Sequence, residues 1–201
     1  MRVKSDEKRQ AILDIAKECF SQQGVSATSM SQLAKQLGGS KATLYNYFSS
    51  KEEIFAAVMQ SSATEQISNS FLSLDIERDV RTSLTEFGYN FLDSILTPDA
   101  ISIYRMAITE ADRSDIGRHF YNNGPKKGWK HLSEYIARQI DKGQLRSCDA
   151  WIAAMQFKAL LSSEYVEQYA FAAIEKPNQQ QIKITTEQAV SAFMALYGMP
   201  E

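Results

Sequence analysis

The segment at residues 28–51, TSMSQLAKQLGGSKATLYNYFSSK, constrains the fold of this 201-residue chain more than any other. Ser29 and Gln32 have the Ser-x-x-Gln spacing of a capping box, which predicts a helix that begins directly after Ser29. The Gly-Gly pair at 38–39 ends this helix, because glycine tolerates the positive φ that a helix end requires. Ser40 then predicts the cap of a second helix. The segment therefore reads as two helices joined by a glycine turn.

Two helices joined in this way form a helix-turn-helix unit, in which the second helix lies in the major groove of DNA. Side chains that project from that helix read the edges of the bases. The residues predicted for this role are Lys41, Ala42, Thr43, Tyr45 and Asn46. Leu44 and Phe48 lie four residues apart, as on one helical face, and are predicted to face the core instead.

Helices are predicted on both sides of this unit. The first runs from about residue 5 to residue 23, with apolar residues at helical spacing along one face. After the unit, Ser50 and Glu53 have the spacing of a second capping box, which predicts a helix that continues to about residue 72. Lys51 lies in its first turn, beside free backbone N–H groups, and this combination suits a phosphate group.

The rest of the chain keeps apolar residues at helical spacing, and the period-2 alternation of strands is almost absent. Pro98 is predicted to stand at the first position of one of these helices. The last two long helices are predicted at about residues 149–173 and 185–197. Thr185 and Gln188 have the capping-box spacing that predicts the start of the last one. The protein is therefore predicted to be all-α, with about nine helices.

Charge is distributed unevenly along the chain. Residues 1–51 carry eight Lys and Arg against four Asp and Glu, whereas residues 52–201 carry fourteen against twenty. A basic end on an acidic body presents one face to phosphate and repels it elsewhere. The sequence contains no apolar run long enough to span a membrane, and its charged start is unlike a signal peptide. We therefore expect a cytoplasmic protein without a membrane partner.

No residue pattern points to catalysis or to a bound cofactor. Cys19 and Cys148 are far apart, and Cys19 falls on the apolar face of the first helix, where a thiol acts as a small buried hydrophobe. His119 and His131 stand outside any cluster with metal-ligand spacing. The sequence also lacks a nucleophile elbow and a glycine-rich phosphate loop. We expect no catalytic residues, no metal and no cofactor.

The segment GVSATSMSQLAKQLGGSKATLYNYFSSKEEIFAAV closely resembles the DNA-binding domain of the tetracycline-repressor (TetR) family. The strings TLYNYF and SSKEEIF carry most of the resemblance, which covers about residues 8–60. A weaker resemblance, over residues 104–145, is to the effector domain of one branch of the family. Together they imply a helix-turn-helix DNA-binding domain at residues 1–50 and a helical ligand-binding and dimerisation domain at residues 51–201.

The resemblance also implies contacts with the DNA backbone. The positions that match the family's phosphate contacts are Ser29, Tyr45, Tyr47 and Lys51. Ser31 stands where many members carry an arginine for backbone contact, so this chain is expected to depend more on Lys41 and Lys51. Gly39 stands where the family usually has an apolar residue, and this departure predicts looser packing between the two helices.

A homodimer that reads a palindromic operator is implied as well, because one domain of this size reads too few base pairs. The last two helices are the expected interface. The apolar residues available there are Phe157, Leu160, Leu161, Phe193 and Met194. These residues fit an ordinary core equally well, and the sequence leaves both interpretations open.

The resemblance further implies a small-molecule effector that binds among the middle helices and shifts the protein away from its DNA-binding state. The residues assigned to this pocket are Phe87, Phe91, Tyr104, Trp129 and Tyr165. Aromatic stripes at helical spacing are usually core, so packing is the competing interpretation. Arg105 and Glu110 are neighbouring charges that suit either a polar ligand group or a solvated ion pair. Glu110 also begins the string EADRSD, where the family branch has Glu-Ala-x-Arg-Phe-Pro.

Three hypotheses follow for the function. The first is a ligand-responsive, homodimeric repressor that binds double-stranded DNA at a palindromic operator. The second is an all-α small-molecule-binding protein or enzyme with an incidental helix-turn-helix. The third is a family member that activates transcription or that lacks an effector. Salt-sensitive binding to a palindrome separates the first hypothesis from the second.

Overall fold

The structure, a computed structural model, describes residues 6–59, 62–112 and 115–200. Across these ranges the protein is all-α, as predicted, and forms no β-strand. The helices of the first half are α1 Asp6–Gln23, α2 Met30–Gln36, α3 Lys41–Tyr45, α4 Lys51–Met59, α5 Ser62–Leu72 and α6 Val80–Ile95. Those of the second half are α7 Pro98–Thr109, α8 Ile116–Asn123, α9 Pro125–Asp141, α10 Ala150–Ser162, α11 Val166–Ala170 and α12 Gln179–Tyr197.

The helix-turn-helix segment forms as predicted, because each of its helices carries its own cap. In the capping box of α2, Ser29 Oγ accepts from Gln32 N at 3.2 Å, and Gln32 Oε1 accepts from Ser29 N at 2.8 Å. Ser40 Oγ accepts from Thr43 N at 3.1 Å and begins α3. Between the two helices, Gly38 has a φ of +67°, the left-handed conformation that ends α2.

The cap predicted for α4 is present at Ser50, whose Oγ accepts from Glu53 N at 3.1 Å. The Glu53 carboxylate accepts from Ser49 N at 2.5 Å and from Ser49 Oγ at 2.7 Å, one residue earlier than a capping box predicts. The helix predicted from here to residue 72 corresponds to α4 and α5. The connection between them, residues 60–61, lies outside the described residues.

The start predicted for the last helix is wrong. α12 begins at Gln179, six residues before Thr185, and its capping box pairs Asn178 with Gln181. Asn178 has the same spacing to Gln181 as Thr185 has to Gln188, so the local pattern offers two starts. The earlier start places Ile182 on the helix, where its side chain is fully buried in the core. Burial of this side chain therefore decides between them.

The prediction of one long helix at residues 149–173 is also wrong, because this segment forms two helices, α10 and α11. At the break, Ser163 Oγ donates to Leu160 O at 2.8 Å, and the Glu164 carboxylate accepts from Thr185 Oγ1 of α12. Side-chain hydrogen bonds of this kind compete with the helical ladder. The described residues therefore form twelve helices, against about nine predicted.

Backbone packing divides the chain into two compact units, and this division differs from the predicted domain boundary. The first unit comprises residues 1–62 and 102–120, and the second comprises residues 63–101 and 121–201. The prediction placed α4 in the second domain, whereas the packing groups it with the helix-turn-helix. The assignment of DNA binding to one part of the chain and of effector binding to the other stays a prediction.

Each unit has its own core. In the first unit, Phe20 of α1 and Phe55 of α4 are buried and form an edge-to-face ring pair at 5.7 Å between centroids. The core of the second unit is built where α12 packs against α6 and α10, and α10 packs against α9. Among the described residues, no helix is long and apolar enough to cross a membrane.

Candidate nucleic-acid interface and effector site

Helix α3 separates packing residues from exposed ones. Leu44 and Phe48 are buried, as predicted, and hold the helix on the first unit. On the opposite side, Tyr45 is 52% exposed. The other exposed residues of this surface are Lys41, Ala42 and Asn46. Four of the five predicted base-reading residues are therefore together on one accessible surface.

The fifth, Thr43, is partly buried and contributes to the cap of its own helix. Its Oγ1 lies 3.0 Å from Ser40 Oγ, and its N–H donates to the same oxygen. Tyr47 is also partly buried. Ser29 and Ser31 are exposed at the start of α2, although Ser29 Oγ is occupied by the capping box. The DNA contacts of all these residues stay predictions.

The position of Gly39 is compatible with a side chain. Gly38, not Gly39, supplies the positive φ of the turn. A Cβ on Gly39 meets Leu37 Cδ2 and Thr43 Cβ at 3.8 Å, which is ordinary van der Waals contact. The turn is closed by the backbone, since Gly39 N donates to Ala34 O at 3.1 Å. The departure from the family at this position therefore requires no change in the backbone of the turn.

A buried thiol links α1 to α2. Cys19 is a free, buried cysteine, as predicted, and its Sγ donates to Gln36 Oε1 at 2.9 Å. Burial raises the pKa of this thiol above its usual value. The thiol therefore stays protonated and serves as a donor that holds the end of α2 against α1.

The Lys51 ammonium has a role that the sequence did not reveal. Its Nζ donates to three backbone carbonyls, those of Val25 at 2.8 Å, Ser26 at 3.0 Å and Thr28 at 3.1 Å. An ammonium has three N–H donors, so this arrangement uses all of them inside the protein. The predicted phosphate contact at this position then depends on the main-chain N–H groups at the start of α4, or on release of the side chain from these carbonyls.

Glu110 holds the same turn from the opposite side. Its Oε1 accepts from Val25 N at 2.9 Å and from Ser26 N at 3.4 Å, and its Oε2 accepts from Ser26 Oγ at 2.7 Å. The side chain is fully buried, so the Glu110 carboxylate is not solvated. The family string that begins at Glu110 marked the position, but nothing local in the sequence indicated a contact 85 residues away.

Three of the five predicted effector residues lie together in the core of the second unit. Phe87, Phe91 and Trp129 are all buried. Ring centroids of Phe91 and Trp129 are 4.9 Å apart, and Phe71 lies 5.1 Å from Trp129 and 5.0 Å from Phe87. Direct ring contact at these distances fills the space between the side chains. In this structure the aromatic cluster of Phe71, Phe87, Phe91 and Trp129 is a packed core.

The other two predicted effector residues lie apart from this cluster. Tyr104 is 40% exposed and belongs to the first unit. Tyr165 is partly buried at the break between α10 and α11. A hydrogen bond to Glu164 raises the pKa of the Tyr165 hydroxyl, because that bond favours the protonated form.

A surface groove between α6 and α12 is a second candidate for a ligand site, and the sequence did not reveal it. Its volume is about 530 Å³. Its lining includes Arg78, Arg81, Thr82, Thr85, Glu86, Tyr89, Lys183, Thr186 and Glu187. Arg78 pairs with Glu86, and Lys183 Nζ lies 4.0 Å from Glu187 Oε1. The groove shares no residue with the predicted effector set.

Comparison with known families agrees with the roles suggested by this geometry. Residues 12–58 match the family described as "Bacterial regulatory proteins, tetR family". Residues 82–199 match the family described as "AefR-like transcriptional repressor, C-terminal domain". The second match alone covers more than half of the chain. Both families consist of transcriptional regulators, and neither points to an enzyme.

Individual relatives are similar over part or all of the chain. The regulator AcrR of Shigella flexneri is 41% identical over 56 residues, which are 28% of this chain and 26% of AcrR. The transcriptional activator FasR of Mycolicibacterium smegmatis is 35% identical over 94 residues, which are 47% of this chain and 43% of FasR. These matches cover less than half of either relative's own length.

The solved structure of the flavonoid-responsive regulator FrrA superimposes with a TM-score of 0.79 and 25% identity, over 98% of this chain and all of that one. The helix-turn-helix in the first unit, the exposed surface of α3 and the two family matches all point the same way. The chain belongs to the tetR family of DNA-binding transcriptional regulators.

Proposed function

We propose that this regulator is a homodimeric repressor that binds a palindromic operator and is released by a small-molecule effector. The observation that carries the proposal is that one side of α3 is exposed while the other side is buried in the core. Lys41, Ala42, Tyr45 and Asn46 are exposed there, while Leu44 is fully buried. Repression is preferred to activation because the longer family match is to an AefR-like repressor, although FasR is an activator.

The exposed side chains of α3 have the chemistry of base readout. The Asn46 amide suits the N6 and N7 groups of adenine, and the Ala42 methyl suits the methyl group of thymine. Lys41 reaches either a guanine or a phosphate. Tyr45, Tyr47, Ser29 and Ser31 supply hydroxyl groups for the backbone, which positions the helix but does not read sequence.

The second unit supports dimerisation through α10 and α12. Ile152 of α10 is 48% exposed, and Ile184 of α12 is 43% exposed. Burial of the remaining exposed part of each side chain against a second copy stabilises the dimer by about 1 kcal/mol each. Of the apolar residues that the sequence offered for this interface, Phe157, Leu161 and Phe193 are fully buried in the core. Leu160 and Met194 are partly buried beside that core.

A selection experiment tests the palindrome and the dimer together. A random duplex pool is enriched with the full-length protein, and the bound sequences are expected to contain an inverted repeat. The double variant Ile152→Arg/Ile184→Arg is expected to sediment as a monomer and to lose the preference for the full repeat over one half-site. Leu72→Arg is the matched control, because Leu72 is an exposed leucine on α5. A wild-type protein that selects no repeat contradicts the proposal.

The aromatic cluster supports an apolar, aromatic effector. FrrA is a flavonoid-responsive regulator with the same fold, and a flat aromatic ligand stacks well on phenylalanine and tryptophan rings. Because the four rings already contact each other, such a ligand has to separate them. Separation of the rings changes the packing of α6 and α9, and this change is the proposed signal for release.

Tryptophan fluorescence tests this proposal. The chain has two tryptophans, so Trp151→Phe leaves Trp129 of the cluster as the single reporter. Titration with a flavone is expected to change the Trp129 emission and to release the selected duplex over the same concentration range. Release of the duplex without any change at Trp129 would place the effector elsewhere, with the groove between α6 and α12 as the first site to examine.

A further inference from the structure

The turn between α1 and α2 is held by two charged side chains that are distant in sequence. Glu110 accepts hydrogen bonds from N–H and O–H groups of the turn, and Lys51 donates hydrogen bonds to carbonyl groups of the turn. Both sets of bonds meet at Val25 and Ser26. All of these residues belong to the first unit. The turn therefore has a carboxylate on its donor side and an ammonium on its acceptor side.

Glu110 is buried with donors of the turn around its carboxylate. The residue is 0% exposed, and an ionised carboxylate taken out of water costs several kcal/mol unless hydrogen bonds replace its hydration. Three donors of the turn lie within 2.7–3.4 Å of its two oxygens. Bonds from N–H and O–H groups to a carboxylate are stronger than neutral ones. Glu110 is therefore a firm attachment for the turn.

Glu110 comes directly after α7, which is itself attached to α1. Ser102 Oγ of α7 lies 2.7 Å from Ser21 Oγ near the end of α1. Met106, one turn before Glu110, is buried. The carboxylate thus directly follows a helix that contacts the end of α1 through Ser102.

The turn determines where the DNA-reading helices begin. Thr28 Oγ1 donates to Gly24 O at 2.7 Å, and Thr28 N donates to Val25 O at 3.2 Å, so the turn is a closed unit. The next residue, Ser29, is the cap of α2, and α2 packs against α3. A displacement of the turn is therefore passed through α2 to the exposed surface of α3.

We propose that Glu110 is a positioning residue for sequence-specific DNA binding, which acts by fixing the turn at Val25 and Ser26. This inference rests on the proposed readout by α3. Glu110 is fully buried and does not touch DNA itself. Base-edge contacts require placement within about 0.5 Å, whereas phosphate contacts from long side chains tolerate small shifts. Loss of the carboxylate therefore affects specific binding more than non-specific binding.

The test uses the full-length protein, the duplex that it selects from a random pool, and a scrambled duplex of the same composition. Glu110→Gln keeps the size of the side chain and removes its charge. The variant is expected to bind the selected duplex up to about tenfold more weakly, the ceiling reached if the free energy of one charge-assisted hydrogen bond is lost from the DNA-binding conformation alone. Its affinity for the scrambled duplex is expected to change much less. The salt dependence of binding is expected to stay the same, because no phosphate contact is lost.

Two further measurements separate positioning from a general loss of folding. The amide proton resonance of Val25 is expected to move upfield in Glu110→Gln, because that N–H loses its carboxylate acceptor. Ser26→Ala removes the hydroxyl group that donates to Glu110 Oε2, and this variant is expected to weaken specific binding about threefold. The double variant is expected to lose less than the two single variants together, since both remove the same contact. Glu134→Gln, at an exposed carboxylate paired with Lys130, is the control.

The outcomes distinguish this inference from the proposed function. Equal weakening on both duplexes, in proportion to the fraction of unfolded protein, overturns the positioning role. Wild-type affinity of Glu110→Gln for the selected duplex, together with a moved Val25 resonance, overturns it as well. A wild-type protein that selects no duplex contradicts the DNA readout by α3, and in that case the proposed function fails before Glu110 is tested.

Discussion

Phe87→Ala is expected to lower the free energy of unfolding by about 3–5 kcal/mol, the usual cost of removing a buried phenylalanine side chain. The ring of Phe87 is fully buried and contacts four other rings, with centroids 5.0 Å away in Phe71, 5.9 Å in Phe91, 6.2 Å in Phe157 and 6.4 Å in Trp129. Its removal forfeits these contacts and leaves a cavity in the middle of the second unit. Urea unfolding, followed by circular dichroism, measures the loss.

Tyr104→Ala is the matched control for this prediction. Tyr104 was predicted for the same effector pocket, but its side chain is 40% exposed. Truncation of an exposed aromatic side chain is expected to change the free energy of unfolding by less than about 0.5 kcal/mol. A cost below about 1 kcal/mol for Phe87→Ala contradicts the packed core, since only a ring that lines an open cavity is removed so cheaply.

Lys51→Met is expected to weaken the first unit and to leave the salt dependence of DNA binding unchanged. Methionine keeps most of the apolar stem but has no donor for the carbonyls of Val25, Ser26 and Thr28. Leaving these acceptors without the ammonium is expected to cost about 2 kcal/mol of stability. Affinity for the selected duplex is expected to fall more than affinity for a scrambled duplex, because the turn that precedes α2 loosens and base-edge contacts tolerate less displacement than phosphate contacts.

Salt titration distinguishes this role from a phosphate contact by the Lys51 side chain. Loss of one phosphate contact reduces the slope of log K against log salt concentration by about 0.9. Lys41→Ala is the control that is expected to show this reduction, because Lys41 is exposed on α3. If Lys51→Met reduces the slope by the same amount, the ammonium leaves its carbonyls in the complex and binds phosphate after all.

The local structure of the helix-turn-helix was predictable because its determinants are neighbours in sequence. The capping box of Ser29 and Gln32, the cap at Ser40 and the glycine turn each act within four residues. The burial of Leu44 and Phe48 followed from helical spacing alone. These determinants all lie within the segment, so the sequence and the structure agree on them.

The same local rules failed where they allowed two answers. Asn178 and Thr185 both start a capping-box pattern, and the burial of Ile182 decided in favour of the earlier one. In the helix predicted at 149–173, the local pattern contained no sign that Glu164 would accept a bond from Thr185 of another helix. The choice in each case depended on a partner that lies outside the local window.

The roles of individual side chains also depended on partners that lie outside the local sequence. Phe87, Phe91 and Trp129 lie in one place, but whether they enclose a ligand or pack on each other depends on the distances between α6 and α9. Among the apolar residues of the last helices, burial assigned Phe157, Leu161 and Phe193 to the core. Helical spacing identifies an apolar face, but it does not identify what covers that face.

The sequence by itself determined that this protein is all-α, that residues 28–51 form a helix-turn-helix, and that Leu44 and Phe48 face the core. Capping, helical periodicity and glycine turns are short-range effects, so the chain carries them wherever it folds. Only the tertiary structure decided that Lys51 and Glu110 hold the turn before α2. Their partners lie 23–26 and 84–85 residues away, and contacts over such distances exist only once the start of α4 and the end of α7 lie against the turn that follows α1.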